Sequence, residues 1–152
     1  MVQPKIDIES PQQDDLKALF TELKTSLSRM SSSDVIDYQL TVDVSTPGAT
    51  SFVARVDGKP VGTGALVRHG NGVAEAKRLF TEPAYRKHGI GRAILRHIAS
   101  LAKSEGLREL VIVTDANLKE SIAFCEQNGF ERTEKVLNHA PTKQSVFFRK
   151  AL

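Results

Sequence analysis

One cysteine, no tryptophan and six prolines among 152 residues put few covalent or rigid constraints on this chain. Cys125 has no partner for an intramolecular disulfide, and beside four scattered histidines it forms no recognisable zinc pattern. Stapling by sulfur or by structural metal is therefore excluded. Long apolar runs are missing too: the longest are four residues, 110–113 and 122–125, against roughly 20 for a bilayer crossing. The N-terminal residues interleave charges with apolar side chains and leave no room for the hydrophobic segment of a secretory signal, so a cytoplasmic location is expected. With 40% hydrophobic and 26% charged residues, the composition is neither disordered nor fibrous. A chain of this length buries roughly 70% of its unfolded surface as one domain, 1–152.

The net charge of +3 says little until it is located. Residues 86–108 hold six bases (Arg86, Lys87, Arg92, Arg96, Lys103, Arg108) and one acid, Glu105. One segment is thus strongly positive in an otherwise balanced chain.

Residues 5–9 alternate as a short strand. Ser10-Pro11-Gln12-Gln13 then reads as a capping box with Pro at the first helical position, and Leu16, Leu19, Phe20, Leu23, Leu27 and Met30 follow at helical spacing. The stretch 31–48 is ambiguous between a short helix and a loop. From Thr50 the period becomes two. Residues 52–56 and 61–67 flank an Asp57-Gly58 turn, and 73–81 returns after His69-Gly70-Asn71-Gly72, making an antiparallel meander. A helix over 89–104 sets Ile90, Ala93, Ile94, Ile98 and Leu101 opposite Arg92, Arg96 and Lys103. The run 107–114 fits a buried parallel strand, completing a right-handed βαβ crossover. A helix over 117–128 closes at Gly129, and 131–136 and 146–149 read as two last strands. The expected fold is mixed α/β, with a central mixed sheet of about six to seven strands and about four helices.

The most informative segment is Arg86-Lys87-His88-Gly89-Ile90-Gly91-Arg92, where a strand hands over to a helix. Two glycines one residue apart allow close backbone approach, and a helix start presents unpaired N–H groups at a positive dipole end. An anion suits such a place, and Arg86, Lys87 and Arg92 would add charge-assisted bonds to phosphates. The competing reading is a tight turn eased by Gly89 with its bases in solvent. Neither G-x-x-x-x-G-K-[ST] nor a dinucleotide-type G-x-G-x-x-G is present.

The stretch 79–93, with its [RQ]-x-x-G-x-[GA] core, resembles the acetyl-CoA signature of the GNAT superfamily of N-acetyltransferases. Asn117 and the run Ala123-Phe124-Cys125-Glu126-Gln127-Asn128-Gly129-Phe130 resemble that family's later helix, and the element order agrees over about 5–150. The strand Glu75-Ala76-Lys77-Arg78 and the preceding Val61-Gly62-Thr63-Gly64-Ala65-Leu66 are similar to small bacterial single-domain members.

The resemblance implies a GNAT-like fold and acetyl-CoA as co-substrate, with no metal. It further implies a bulged strand at Leu79, Phe80 and Thr81 that splays from its parallel neighbour to admit the pantetheine arm. The diphosphate would lie on the 87–92 amides, with Arg86, Lys87, His88, Gly89, Ile90, Gly91 and Arg92 around it, and Asn117 would touch the pantetheine. Glu75 matches the strand glutamate used as general base in the histone-modifying branch, and simple alternation sets Glu75, Lys77 and Leu79 on one face. The alternative for Glu75 is a strand-surface carboxylate paired with Lys77 or a cross-strand neighbour. A backbone N–H near Phe80 would stabilise the oxyanion.

The chain departs from the family's pattern at Cys125, which stands where a tyrosine commonly protonates the departing thiolate. The thiol could donate, or water or Tyr85 could, or Cys125 could be a packed core residue beside Leu118 and Ile122. Asn117-x-x-Glu120 also reads as a capping box. His97 reads as a core residue, His88 as a variable position of the motif, and His139 sits in a loop that lines the acceptor side in the family.

The expected activity is acetyl transfer from acetyl-CoA to a primary amine of a small molecule or peptide, by direct attack in a ternary complex. A non-catalytic acyl-CoA sensor is the alternative. Binding to nucleic acid is disfavoured, because aromatic interleaving and a recognition helix are both missing. No membrane partner is expected, and a homodimer, common in such proteins, has no feature here that requires it.

Overall fold

The computed structural model describes residues 3–10, 12–30, 48–134 and 145–152. Seven strands form one sheet: β1 (Lys5–Ile8), β2 (Ala49–Val56), β3 (Lys59–Gly70), β4 (Val73–Thr81), β5 (Glu109–Asp115), β6 (Glu131–Thr133) and β7 (Ser145–Ala151). Their order is β1-β2-β3-β4-β5-β7-β6, and every pair is antiparallel except β4 with β5. The described residues include three α-helices, α1 (Lys17–Met30), α2 (Ile90–Ser104) and α3 (Lys119–Gln127), and two 3-10 turns, Asp14–Leu16 and Pro83–Tyr85. That is one α-helix fewer than the sequence reading, whose ambiguous stretch 31–48 lies outside the described residues except for Gly48.

Alternation builds the meander as expected, and α2 closes the crossover between β4 and β5. Ile90, Ile94, Leu95, Ile98 and Ala102 of α2 bury against Phe52, Ala54, Val61, Leu66, Leu110 and Phe148 of the sheet. Each such Ile or Leu burial contributes about 1.5–3 kcal/mol. Close approach of α2 depends on two glycines of β3. A β-carbon at Gly62 would lie 3.0 Å from Ile90 and Ile94, and one at Gly64 only 2.6 Å from Ile94. The opposite face is covered in part by α1, whose Leu19 and Leu23 pack with Phe80 and Leu118.

Three local expectations are corrected. The first helix does not start at a Ser10 box: Gln13 Nε2 reaches back to the Ser10 carbonyl and Glu9, the 3-10 turn begins at Asp14, and α1 begins at Lys17. His97 is exposed, touching Phe52 only ring to ring at 6.2 Å between centroids, because the apolar stripe of α2 passes through Ile94 and Ile98. Asn117 does not cap α3; the cap position falls on Leu118, with no side-chain cap bond.

Candidate active site

The last strand-to-strand pairing between β4 and β5 is Glu75 with Val111. Beyond it β4 runs on to Thr81 paired only with β3, and β5 runs on to Asp115 paired only with β7. Two parallel strands therefore diverge from a vertex at Glu75, and the ladder between them does not continue past it.

A β-bulge shapes the β4 side. The register passes from Ala65–Lys77 to Thr63–Phe80, so β4 spends one extra residue there, and Arg78 takes φ +53°. The insertion reverses the alternation: Leu79 packs toward α2, beside Gly64 and Ile98, whereas Phe80 joins Leu19 and Leu23 on the α1 face. Leu79 does not share a face with Glu75 and Lys77; Phe80 does.

At the end of β4 the chain turns through Pro83–Tyr85 into the glycine motif. Arg86 Nε donates to the Thr81 carbonyl at 2.9 Å and its guanidinium lies 5.4 Å from the Phe80 ring centre, so Arg86 braces the loop against the strand end. Lys87 and Gly89 both take left-handed backbone, φ +64° and +80°, and Lys87, His88 and Gly89 are exposed. Gly89 is the N-cap of α2, has no side-chain cap, and a β-carbon there would meet nothing within 4 Å. The first-turn amides of α2 thus open onto free space with Arg92 exposed beside them. Gly91 behaves differently: a β-carbon would lie 3.3 Å from the Phe124 ring, so this glycine admits α3 rather than a ligand. Ile90 is buried beneath the loop as an anchor of α2.

Glu75 is fully buried, not a surface carboxylate, and its Oε1 lies 2.7 Å from His69 Nε2. Lys77, two residues on, is also buried. Desolvation holds its ammonium below the usual lysine range although Glu75 pulls the other way, with Arg78 adding to the lowering. Sequence reasoning gave His69 no role. Only the pairing reveals it: the register shift between Arg68 and Gly70 makes His69 the extra residue of a second bulge, one strand away from Glu75.

Cys125 is 1% exposed within the main core, and burial, with a smaller contribution from Glu126, pushes its thiol up to about 12. Asn117 is exposed just past β5, its backbone N–H bonded to Asp115 Oδ1 at 2.7 Å. His139 lies outside the described residues.

The description "Acetyltransferase (GNAT) family" matches residues 14–130. The chain belongs to the GNAT acetyltransferase family. It is 32% identical over 148 residues to an IAA acetyltransferase of Azospirillum brasilense, covering 95% of each protein. The fold superposes on PaiA N-acetyltransferase of Thermoplasma acidophilum, solved in complex with coenzyme A, with a TM-score of 0.76 and 17% identity over 99% of both chains. A GNAT family acetyltransferase of Elizabethkingia anophelis with acetyl-CoA bound gives 0.70 at 17% identity, over 98% of both. The GNAT acetyltransferase described here thus has the expected mixed sheet with its meander and crossover.

Proposed function

We propose that this acetyltransferase moves acetyl from acetyl-CoA to a primary amine of a small molecule or peptide by direct attack in a ternary complex. The observation that carries the reading is the divergence of β4 and β5 at Glu75, ending in an uncapped, basic helix start. The residues fit the co-substrate. Strands that part beyond Glu75 and Val111 suit an extended pantetheine amide chain between them, and the open left-handed Gly89 with Lys87 and Arg92 suits a diphosphate. Acetyl-CoA would supply an activated acetyl thioester.

The chain's own contribution is then positioning and proton handling. An alkylamine with pKa near 10.4 is neutral in only about one molecule in 2,500 at pH 7, so a base that removes its proton raises the attacking fraction. Glu75, at the vertex and shielded from bulk water, is assigned that role, and a strand amide near Phe80 the stabilisation of developing negative charge. Lys77, with its ammonium weakened by burial, keeps a compensating cation near Glu75. The packing of Cys125 supports a structural role, which leaves the thiolate's proton to water or to the half-buried Tyr85. Arg86 keeps the cradle joined to the strand edge through Thr81, and exposed Asn117 stands at the β5 side.

Release of free CoA, followed with n-butylamine, lysine, spermidine, an aminoglycoside and a peptide N-terminus, tests the transfer. Amine-dependent release above the acceptor-free rate is expected with at least one of them. Tight acetyl-CoA binding with no amine-dependent release from any would replace the enzyme by a sensor of acyl-CoA.

A further inference from the structure

We infer that His69 is a positioning residue for the reaction, holding the Glu75 carboxylate in its working orientation and making turnover depend on the charge of the imidazole. The inference rests on the reading of Glu75 as the base. Nε2 of His69 lies 2.7 Å from Oε1 of Glu75. An ionised carboxylate can only accept, so the facing ring nitrogen carries the hydrogen. The two ends of this bond differ in environment: the Glu75 side chain is 0% exposed and that of His69 33%. A ring donor at hydrogen-bond distance helps to fix the plane of a carboxylate sealed from water.

The placement of His69 is built into the backbone. The register pairs Arg68 with Ala74 and Gly70 with Val73, so His69 opposes no residue of β4 and its side chain is free of the ladder's regular spacing. Positive φ at Gly70, Asn71 and Gly72 forms the tight connection that brings the two strands together. Bulges of this kind re-aim a side chain beside an active site.

Solvent reaches the His69 ring, whose side chain is 33% exposed. When it is neutral, its N–H supports the carboxylate as an acceptor. When it gains a proton, a full positive charge stands 2.7 Å from Glu75, favours the ionised carboxylate and so weakens it as a base. Charged residues on the elements that carry or adjoin the pair include Lys77 and Arg78 on β4, Arg108 on the Asn71 carbonyl of the hairpin, the Arg68–Glu105 ion pair of β3 and α2, and the Glu109–Arg149 pair of β5 and β7. Arg68 and Glu105 neutralise each other at 2.6 Å, as do Glu109 and Arg149 more loosely at 3.7 Å, and Lys77 interacts with Glu75 electrostatically.

The experiment compares His69→Ala, His69→Gln and Glu75→Gln, with acetyl-CoA and whichever amine of the panel above turns over fastest, across pH 5.5–9. His69→Ala is expected to lower kcat at least tenfold with KM for acetyl-CoA within twofold. His69→Gln, a neutral N–H donor that does not titrate, is expected to recover to within about threefold of wild type and to show a shallower acid limb. The inference is overturned if His69→Ala stays within twofold of wild type, if His69→Gln is no better than His69→Ala, or if its acid limb superposes on that of wild type. Should His69→Ala fail to fold, the acid limb of His69→Gln decides alone. Glu75→Gln separates the two levels of the reading. A crippled Glu75→Gln beside an active His69→Ala removes only the positioning role, whereas a fully active Glu75→Gln removes the base and His69 with it.

Discussion

Ile94 of α2 rests directly on Gly64 of β3: a β-carbon on that glycine would stand 2.6 Å from Ile94 Cγ2 and 3.0 Å from Leu79 Cδ2. No real side chain tolerates the first distance, so helix and strand could not keep their present separation. Gly64→Ala is expected to destabilise the protein by about 1–3 kcal/mol through overpacking. For a chain of this size that is a loss of roughly 2–4 °C in Tm per kcal/mol, read by thermal unfolding. An unchanged Tm would mean that α2 sits further from the sheet.

The two motif glycines should separate in their effects. Gly89→Val forces a β-branched residue into φ +80° at the open helix start and should raise the Kd for acetyl-CoA at least tenfold by calorimetry. Gly91→Ala presses on the Phe124 ring at 3.3 Å, so its effect should be on stability, with affinity changed less than threefold. Equal losses of affinity would contradict the division.

Cys125 should be dispensable for turnover. Its thiol, pushed up to about 12 by burial, is protonated throughout the working range and is 1% exposed. Cys125→Ala should keep kcat within twofold, and iodoacetamide should label the native protein far more slowly than the unfolded chain. A kcat loss above tenfold in a stably folded Cys125→Ala would return the thiol to the proton-transfer step.

Acid should loosen the sheet edge at β1. Arg55 of β2 bonds Glu9, Asp15 and the Gly58 carbonyl, and its guanidinium holds the carboxyls of Glu9 and Asp15 below their usual range. Groups whose folded pKa is depressed add stability that is present above the unfolded value, near 4, and lost as pH falls below it. Urea midpoints should therefore drop between pH 7 and pH 3, and Arg55→Met should lower the pH 7 midpoint and flatten that drop. A drop of the same size in Arg55→Met would place the acid sensitivity elsewhere.

Much of this architecture could be read from residue order. The Asp57-Gly58 and Gly70-to-Gly72 turns fix the meander, and the glycine motif after β4 fixes the start of α2 to within a residue. What could not be read depends on single-residue insertions. The bulge at Arg78 leaves the apolar alternation of β4 looking continuous, yet it moves Leu79 to the α2 face and Phe80 to the Glu75 face. The bulge at His69 likewise has no mark in composition. Asn117 illustrates a different limit: a capping box is a local pattern, but Asp115 Oδ1 already takes the Asn117 N–H, and the cap position falls one residue later, on Leu118. The burial of Glu75 and Lys77 on adjacent alternate positions came from tertiary covering that no strand pattern encodes.

Amide NMR during titration with acetyl-CoA tests the central claim most directly. If the diverging strands and the helix start form the co-substrate site, shifts concentrate at the amides of 87–92 and along 76–81 and 112–115, while the far end of the sheet around Asn71 and Arg108 stays still. Saturable binding that leaves those three stretches unmoved would contradict the account.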